Sequence, residues 1–386
     1  MAFIKFGNID AKLIPMIYGC IFCFFNRLLS HSKESLLWKN PILHNITISS
    51  CKLFTIIPFI IVERRSSRVY SFNIEKSIEK SFHASSLENK FKNDTKKITK
   101  GKWRFIVLSA IIFLFNQFFY VISVKAKSNT TILNIVLISI FYYFIFKIKL
   151  FKHHYLSVIM IVLVGFILDL VLGNLQYDII NQSLLLLYRV FRETLYSLSC
   201  VIDKYIMEKK FGSVYEIIFP NGVISFLFFI IFALFDYYYS IYGMDDYEKY
   251  FNNFDAIEFL VALGVIVTQL GLNLGILFTN KNYTPCHVFI IFIFGQLANY
   301  IDFSGLSIAI LFCLLFILFM SLIFGEIIEI NICGLSDNTK RNISYRAQAE
   351  EDIIRTDNNF DDMNEEQERD IDITKDFKSL GPEKDE

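Results

Sequence analysis

Long apolar runs separated by short polar connections dominate the chain up to about residue 330. The runs are about 17–25 residues long, the length an α-helix needs to cross roughly 30 Å of hydrocarbon. They lack the period-two alternation of β-barrel strands. The pattern therefore predicts an all-α membrane protein with ten transmembrane helices, at approximately 11–30, 41–62, 104–124, 129–146, 154–172, 182–210, 214–235, 256–278, 285–300 and 304–330.

Two features distinguish the second predicted helix. Lys52 lies within its apolar run, and Pro58 lies near its end. Because proline lacks an N–H group and its ring clashes with the preceding turn, we expect a kink near Pro58.

Two polar segments lie outside the apolar runs. Residues 63–103 are rich in Lys, Ser and Asn, whereas residues 333–386 are rich in Asp and Glu. Such segments bury too little apolar surface to fold by themselves. We interpret 63–103 as a flexible, solvated cytosolic loop, not a nucleic-acid-binding surface. Residues 333–386 are interpreted as a disordered acidic tail that follows a membrane domain over 1–332.

The charge distribution predicts an orientation, although 38 Lys and Arg balance 38 Asp and Glu over the whole chain. Basic residues collect in 63–103 and 147–154, and acidic residues collect in 236–255. With cytosolic termini, ten helices place the basic connections inside and the acidic connection outside, as the positive-inside rule requires. In this interpretation His153 and His154 lie in an exposed basic turn and bind no metal.

The ten predicted helices divide into two sets of five, over about 1–173 and 181–332. The short turn between helices three and four reads QFFYVISVKAKSNTTILNIVL, and the turn between helices eight and nine reads LNLGILFTNKNYTPCHVFIIF. Each has a polar turn at a matching offset before an apolar helix. Because five is odd, the two turns fall on opposite sides of the membrane, which is typical of an inverted repeat.

The sixth predicted helix is apolar overall but carries Arg189, Arg192 and Glu193 near its middle. A charge at bilayer depth costs a few kcal/mol or more, about 2.5–3.5 on insertion scales. Helical spacing places Arg189, Glu193, Ser197, Cys200 and Lys204 on one stripe, and Leu184, Leu187, Phe191, Leu195 and Leu198 mostly off it. We therefore expect a polar side that lines a cavity and an apolar side. Asp203 and Lys204 are interpreted as topology and gating residues near the cytosolic mouth.

Polar residues at membrane depth form the predicted substrate-binding set, which comprises Lys52, Asn116, Gln117, Asn134, Arg189, Arg192, Glu193, Gln269, Asn273 and His287. Two arginines against one local acid favour an anion, because guanidinium groups bind phosphate bidentately. The amides suit sugar or ribose hydroxyls. A structural alternative stays open: Glu193 could be neutralised by Arg189 or by Lys52, and polar residues also join membrane helices to one another.

Three segments carry a resemblance to the drug/metabolite transporter superfamily: IKLFKHHYLSVIMIVLVGFIL, DKYIMEKKFGSVYEIIF and NKNYTPCHVFIIFIFGQL. Lys152, His153 and Gly165 match a pattern in which a basic residue precedes a helix whose glycine permits close packing. The resemblance covers about 1–332. It implies a 5+5 inverted repeat with cytosolic termini and a central cavity lined by helices one, three, four, six, eight and nine. No nucleotide-sugar fingerprint fixes a substrate.

The expected function is alternating-access transport of a small polar, anionic metabolite, such as a nucleotide sugar or a phosphorylated compound. The chain lacks a paired acid and base, a Gly-rich phosphate loop and an H-x-x-x-H motif, so no enzyme activity, catalytic residue, metal or cofactor is predicted. Expected partners are the solute, the lipid bilayer and a second copy of the chain. A Golgi, ER or other endomembrane location is favoured over the plasma membrane. The alternatives are a receptor or scaffold acting through 63–103 and the tail, and a membrane-embedded lipid transferase.

Overall fold

A computed structural model describes residues 4–6, 13–30, 40–61, 101–123, 130–147, 150–171, 179–180, 182–239, 256–298 and 308–330. Most of the predicted basic loop at 63–103 lies outside these residues. The predicted acidic tail lies wholly outside them.

The described residues form ten helices of 13 residues or more. They are α1 Ile14–Ser30, α2 Pro41–Leu53, α3 Lys102–Ser123, α4 Leu133–Phe146, α5 Lys152–Val171, α6 Ser183–Lys209, α7 Val214–Tyr239, α8 Ala256–Asn282, α9 Pro285–Ala298 and α10 Ile308–Phe324. A helix is therefore present at each of the ten predicted positions, with bounds close to those expected except in the second and the last.

Five of these helices are long and apolar enough to cross a membrane, namely α2 with its continuation to Ile61, α3, α5, α7 and α8. α1, α4, α9 and α10 are apolar but shorter. The 14 residues of α9 extend about 21 Å at roughly 1.5 Å per residue, less than the hydrocarbon thickness of about 30 Å. α6 has 27 residues but carries several charges. The fold is confirmed as helical with five candidate spans.

The expected kink in the second helix is confirmed. Regular α-helix ends at Leu53, and helical structure resumes from Ile56 to Ile61. Pro58 has no N–H to donate to the carbonyl oxygen of Phe54, four residues earlier. The series of helical backbone hydrogen bonds is therefore interrupted at Phe54 and Thr55. The Thr55 hydroxyl instead donates to the carbonyl oxygen of Lys52 at 2.6 Å.

The prediction that the last helix continues to residue 330 is wrong. α10 ends at Phe324, and Glu326 has a left-handed φ of 57°. The N–H of Ile327 donates to the Leu322 carbonyl and the N–H of Glu326 donates to the Ile323 carbonyl, both at 3.0 Å. These are the two bonds of a Schellman motif, which terminates the helix.

The chain divides into two compact units, Asn8–Ile327 and Met1–Gly7 with Ile328–Glu386. All ten helices belong to the first unit. The described part of the second unit is an antiparallel pair of strands, β1 Ile4–Phe6 and β2 Ile328–Ile330, in which Lys5 is opposite Glu329. The sequence did not predict these strands, because three residues are too few to show periodicity.

The principal helix contacts follow a regular pattern. α1 packs along α8 and α9, while α6 packs along α3 and α4. α2 packs against α7 and α8, α3 also packs against α7, and α5 packs against α10. Exchanging each helix of α1–α5 with the helix five places later converts each of these pairs into another of them or into itself. The contacts of α9 with α10 and with α8 do not follow this pattern, because the corresponding contacts of α4 with α5 and with α3 are much smaller.

Glycines permit the closest of these contacts. A Cβ on Gly275 of α8 would lie 2.6 Å from the Cα of Gly19 on α1. A Cβ on Gly222 of α7 would lie 2.6 Å from the Cβ of Lys52 on α2. Gly165 of α5 lies against the Ile132 side chain, close enough that a Cβ would overlap it. Small residues at membrane-helix contacts let the backbones approach in this way.

Candidate functional site

α6 has one polar face that is buried and one apolar face that is exposed, as the sequence predicted. The buried face carries Glu193, Ser197, Cys200, Asp203 and Lys204. The exposed face carries Leu184, Leu187 and Phe191, each more than half exposed at 58%, 60% and 51%. An exposed face of this composition suits lipid, whereas the charges face other helices of the protein.

Glu193 lies at the centre of a hydrogen-bonded network between α6 and α4. Its Oε2 accepts from Nδ2 of Asn134 at 2.7 Å, and its Oε1 accepts a longer bond from Thr130 Oγ1 at 3.4 Å. Ser197 Oγ donates to Oδ1 of the same Asn134 at 2.9 Å. The guanidinium of Arg192 forms an ion pair with Glu193. The ion pair, the amide donor and the hydroxyl compensate the carboxylate for its lost hydration.

Arg192 also contacts an aromatic ring. Its Cζ lies 5.5 Å from the centroid of the Tyr120 ring on α3, a cation–π distance. Arg189, one turn earlier, is half-buried. The cation bonded to Glu193 in this structure is therefore Arg192, whereas the sequence had suggested Arg189 or Lys52 as its partner.

A second group of buried charges lies further along α6. Oγ of Ser109 on α3 donates to Oδ1 of Asp203 at 2.5 Å. Lys52 of α2 is 3% exposed, and its Nζ lies 3.2 Å from the centroid of the Phe113 ring. Asp203 therefore joins α6 to α3, and the Lys52 ammonium lies against α3 from α2.

Lys204 joins α6 to the turn between α8 and α9. Its ammonium donates to the carbonyl oxygens of Lys281, at 3.0 Å, and of Tyr283, and it forms an ion pair with Glu208 at 2.8 Å. A cation at the C-terminal carbonyls of α8 compensates the helix dipole. One turn away, Nδ2 of Asn280 donates to the Cys200 carbonyl at 2.7 Å.

The four predicted amides on α3 and α8 occupy different environments. Asn116 is buried on α3, and its neighbour Gln117 is partly buried. Gln269 and Asn273 are partly buried on α8, and Nδ2 of Asn273 reaches Sγ of Cys51 at 3.8 Å. Asn273 therefore faces α2, next to Lys52, and no hydrogen bond or ion pair joins these four residues to the Glu193 network in the described part of the chain.

His287 is placed at a helix end, away from the Glu193 network. Its Nδ1 lies 2.9 Å from Oγ1 of Thr284, and its Nε2 lies 2.9 Å from the Gly325 carbonyl oxygen. With Nε2 protonated, the ring donates to Gly325 and accepts from Thr284. Nε2 thus joins the start of α9 to the end of α10, while Nδ1 bonds the residue directly before α9.

The prediction that His153 and His154 lie in an exposed turn is wrong. His153 is 3% exposed, and its Nε2 lies 3.2 Å from Oε1 of Glu326; Nε2 of His154 lies 3.8 Å from the same oxygen. The three ligand atoms lie within 4.8 Å of one another, close enough to bind one metal ion. However, the N–H of Phe151 donates to Nδ1 of His154 at 3.1 Å, so a neutral ring carries its proton on Nε2, the atom that faces Glu326. The contacts describe a hydrogen-bonded junction between α5 and the end of α10.

Sequence reasoning missed several polar partners in these networks. Thr130 and Ser109 are hydroxyl residues within apolar segments, a pattern too common to single out. Glu326 was assigned to the interior of the last helix. Its left-handed backbone, unusual for a residue other than glycine, places the carboxylate beside the two histidines.

No protein-family model matches the chain, and no curated protein matches it. The class of protein is therefore defined by fold and composition. Five helices with the length and apolarity of membrane spans, and an α6 whose charges are buried, fit an integral membrane protein. The resemblance to the drug/metabolite transporter superfamily rests on the sequence segments themselves.

Proposed function

We propose that this protein is a multi-pass membrane carrier that moves a small polar, anionic metabolite by alternating access. The observation that carries the proposal is the helix packing between the two halves, in which pairs such as α1–α8 and α6–α3 are converted into each other when α1–α5 and α6–α10 are exchanged. Such exchange is what a 5+5 repeat produces. Secondary transporters built from repeats bind their solute near the bilayer midplane, where the repeats meet.

We propose that all ten helices cross the membrane, including α6. Its charges face α3, α4 and the α8–α9 turn, while its exposed side is apolar. The basic connections support cytosolic termini. If the solute is a nucleotide sugar or a phosphorylated compound, we expect the protein in the ER or Golgi membrane, because such compounds are consumed in those compartments.

The position of the Glu193 network supports its assignment as the solute site. Glu193 follows the first residue of α6 by about 15 Å at roughly 1.5 Å per residue, near the middle of a bilayer core. The network joins α6 of the second half to α4 of the first. It therefore lies where the two halves of the chain meet.

The charges near this network support an anionic solute. Within one turn, α6 carries Arg189 and Arg192 against the single carboxylate of Glu193. A positive excess in a low-dielectric site favours an anion, and a guanidinium can bind phosphate through two parallel hydrogen bonds. Asn116 and Gln117 on α3, with Tyr120 one turn later, would provide donors and an aromatic surface for a sugar or ribose.

The test is counterflow into proteoliposomes with labelled UDP-galactose, GDP-mannose and glucose 6-phosphate as separate probes. The wild type is expected to exchange at least one of them. Arg192→Gln should lower exchange at least tenfold, because one charge-assisted bond is worth about 1.5–3 kcal/mol. Leu187→Ala, on the exposed face of the same helix, is the matched control and should leave exchange unchanged.

The double variant Arg192→Gln/Glu193→Gln separates solute binding from charge neutralisation. If Arg192 only neutralises Glu193, removing both charges restores exchange, and the assignment of Arg192 to the solute is refuted. If Arg192 binds the anion, the double variant stays inactive. A wild type that exchanges none of the probes, nor any further anion in a wider panel, would contradict the proposed function and favour a receptor or scaffold.

A further inference from the structure

Two histidines and one glutamate converge where the start of α5 meets the end of α10, and the solute site assigns them no role. His153 and His154 lie in the first turn of α5, and Glu326 follows the last turn of α10. The sequence predicted no metal here because it placed both histidines in an exposed turn. That reason no longer holds, since His153 is buried and the side chain of His154 is 15% exposed.

The separations of the ligand atoms are those of a zinc coordination shell. Nε2 of His153 and Nε2 of His154 lie 3.2 Å and 3.8 Å from the same oxygen of Glu326. Tetrahedral zinc binds nitrogen and oxygen at about 2.0–2.2 Å, which places neighbouring ligand atoms about 3.4 Å apart. The two observed distances lie on either side of this value, so small side-chain rotations complete the shell.

The two imidazole rings converge although they belong to adjacent residues. Neighbouring side chains of a helix point about 100° apart at 3.6 residues per turn. The centroids of the His153 and His154 rings nevertheless lie 4.0 Å apart, and both rings face the Glu326 carboxylate. Because α5 packs along α10, the carboxylate is held between the two helices at this position.

The chemistry of the three ligands selects the ion. Imidazole nitrogens suit zinc, whereas magnesium and calcium prefer shells made of oxygen. Three protein ligands leave the fourth tetrahedral position for water. Water and the ion have access, because the side chains of Glu326 and His154 are 21% and 15% exposed.

Binding through both Nε2 atoms requires each neutral ring to carry its proton on Nδ1. No described group donates to Nδ1 of His153, so that ring can change tautomer freely. In His154 the ion must break the 3.1 Å bond from the Phe151 N–H. The loss of one neutral hydrogen bond weakens an affinity by about tenfold. Structural zinc sites bind many orders of magnitude more tightly than this factor, so the tautomer change does not prevent binding.

We propose that His153, His154 and Glu326 form a zinc-binding site that joins the start of α5 to the end of α10. The ion bridges a helix of the first half and a helix of the second half. A ligand that binds only the folded chain stabilises it, so zinc should stabilise this junction. The inference does not depend on the proposed carrier function, because it concerns an ion held at the helix ends and no solute.

The first test measures affinity and stoichiometry. The full chain in detergent is stripped with a chelator, and Zn²⁺ is then titrated in competition with a chromophoric chelator. The wild type should bind one Zn²⁺ per chain. His153→Gln, His154→Gln and Glu326→Gln should each bind at least about 100-fold more weakly, since even loss of an outer-shell partner costs 10–100-fold. His83→Gln replaces a histidine distant in sequence, and as the control it should bind like the wild type.

The second test identifies the ligands and needs no variant. X-ray absorption spectra of the zinc-loaded wild type should show two imidazoles and oxygen around the ion. The Cys20 and Cys23 pair is the rival site, since zinc also binds thiolates. Sulfur in the shell, or fewer than two imidazoles, would overturn the proposed site. This measurement decides the question even if the three ligand variants do not fold.

The third test asks whether the ion joins the helices. Saturating Zn²⁺ should raise the thermal denaturation midpoint of the wild type and of His83→Gln, and it should leave that of Glu326→Gln unchanged. Absence of saturable binding in the wild type, or equal affinity in all four variants, overturns the site. Binding of one ion without any rise in the wild-type midpoint overturns its role in joining α5 to α10. None of these outcomes bears on exchange of the solute probes.

Discussion

The contact between α1 and α8 depends on two glycines, and it gives a sharp stability prediction. In Gly275→Ala the new Cβ would lie 2.6 Å from Gly19 Cα, 2.9 Å from Gly19 N and 3.3 Å from the Pro15 carbonyl oxygen. All three are backbone atoms, which cannot rotate aside. Carbon atoms pack at about 3.5–4.0 Å, so the two helices must separate locally by roughly 1 Å.

The magnitude follows from a comparison within α8. Gly264→Ala would place its Cβ 3.3 Å from Cδ1 of Leu29, the flexible end of a side chain. Both substitutions gain about 1 kcal/mol of helix propensity over glycine. Overpacking against an immovable backbone costs about 1–3 kcal/mol. Gly264→Ala should therefore be neutral or stabilising, and Gly275→Ala should be less stable than Gly264→Ala by the overpacking cost.

The assay is thermal denaturation in one detergent, followed by the loss of monodisperse protein on size-exclusion chromatography. Gly275→Ala should denature a few degrees below the wild type, and Gly264→Ala should denature at or above it. If Gly275→Ala is as stable as Gly264→Ala, the close approach of α1 and α8 at Gly19 is refuted. Gly275→Leu should then also be tolerated, which the 2.6 Å contact forbids.

Two further predictions concern helix ends. Ser213→Ala removes the hydroxyl that accepts from the Glu216 N–H at 3.1 Å in the capping box of α7, so thermal denaturation should show a loss of about 1 kcal/mol. Lys204→Met removes the cation from the carbonyls of the α8–α9 turn, and faster amide hydrogen exchange in that turn is expected. The exposed Lys209→Met is the control for the second, and equal exchange in both variants would show that Lys204 does not hold the turn.

The positions of the helices were predictable from the sequence, because the length and apolarity of each run define them. Which helices pack against one another was not predictable. α5, α7 and α10 are apolar on nearly every side, so the sequence carries no periodicity that selects a neighbour. The α10 terminus was missed because a Schellman motif centred on Glu326 uses a residue that is not glycine. The expectation at Pro58 succeeded because proline acts on its own helix and needs no tertiary context.

The candidate site was predictable in composition and only partly in geometry. Helical spacing identified the buried face of α6, and the structure brings together three members of the predicted set, Asn134, Arg192 and Glu193. Helical spacing could not predict which cation pairs with Glu193. Arg192 is adjacent to Glu193 in sequence and reaches it through its side-chain conformation, whereas the spacing rule considers only residues three or four positions apart. Asp203 was expected near an aqueous mouth, yet it is buried against Ser109. The burial of Asp203 depends on where α3 packs against α6, which the sequence pattern of α6 does not determine.

The packing also determines which helices could move together. Glu193 takes its amide partner from α4, and Asp203 takes its hydroxyl partner from α3, so the first half of the chain holds the first helix of the second half. In the corresponding way α1 is held by α8, through the Gly19–Gly275 contact and a 3.2 Å bond between Thr268 and Asn26. Neither sequence half encloses its own first helix. For the carrier that we propose, this packing predicts that α6 moves with α3 and α4, against α1 with α8 and α9, so that the moving bodies are not the two halves of the sequence.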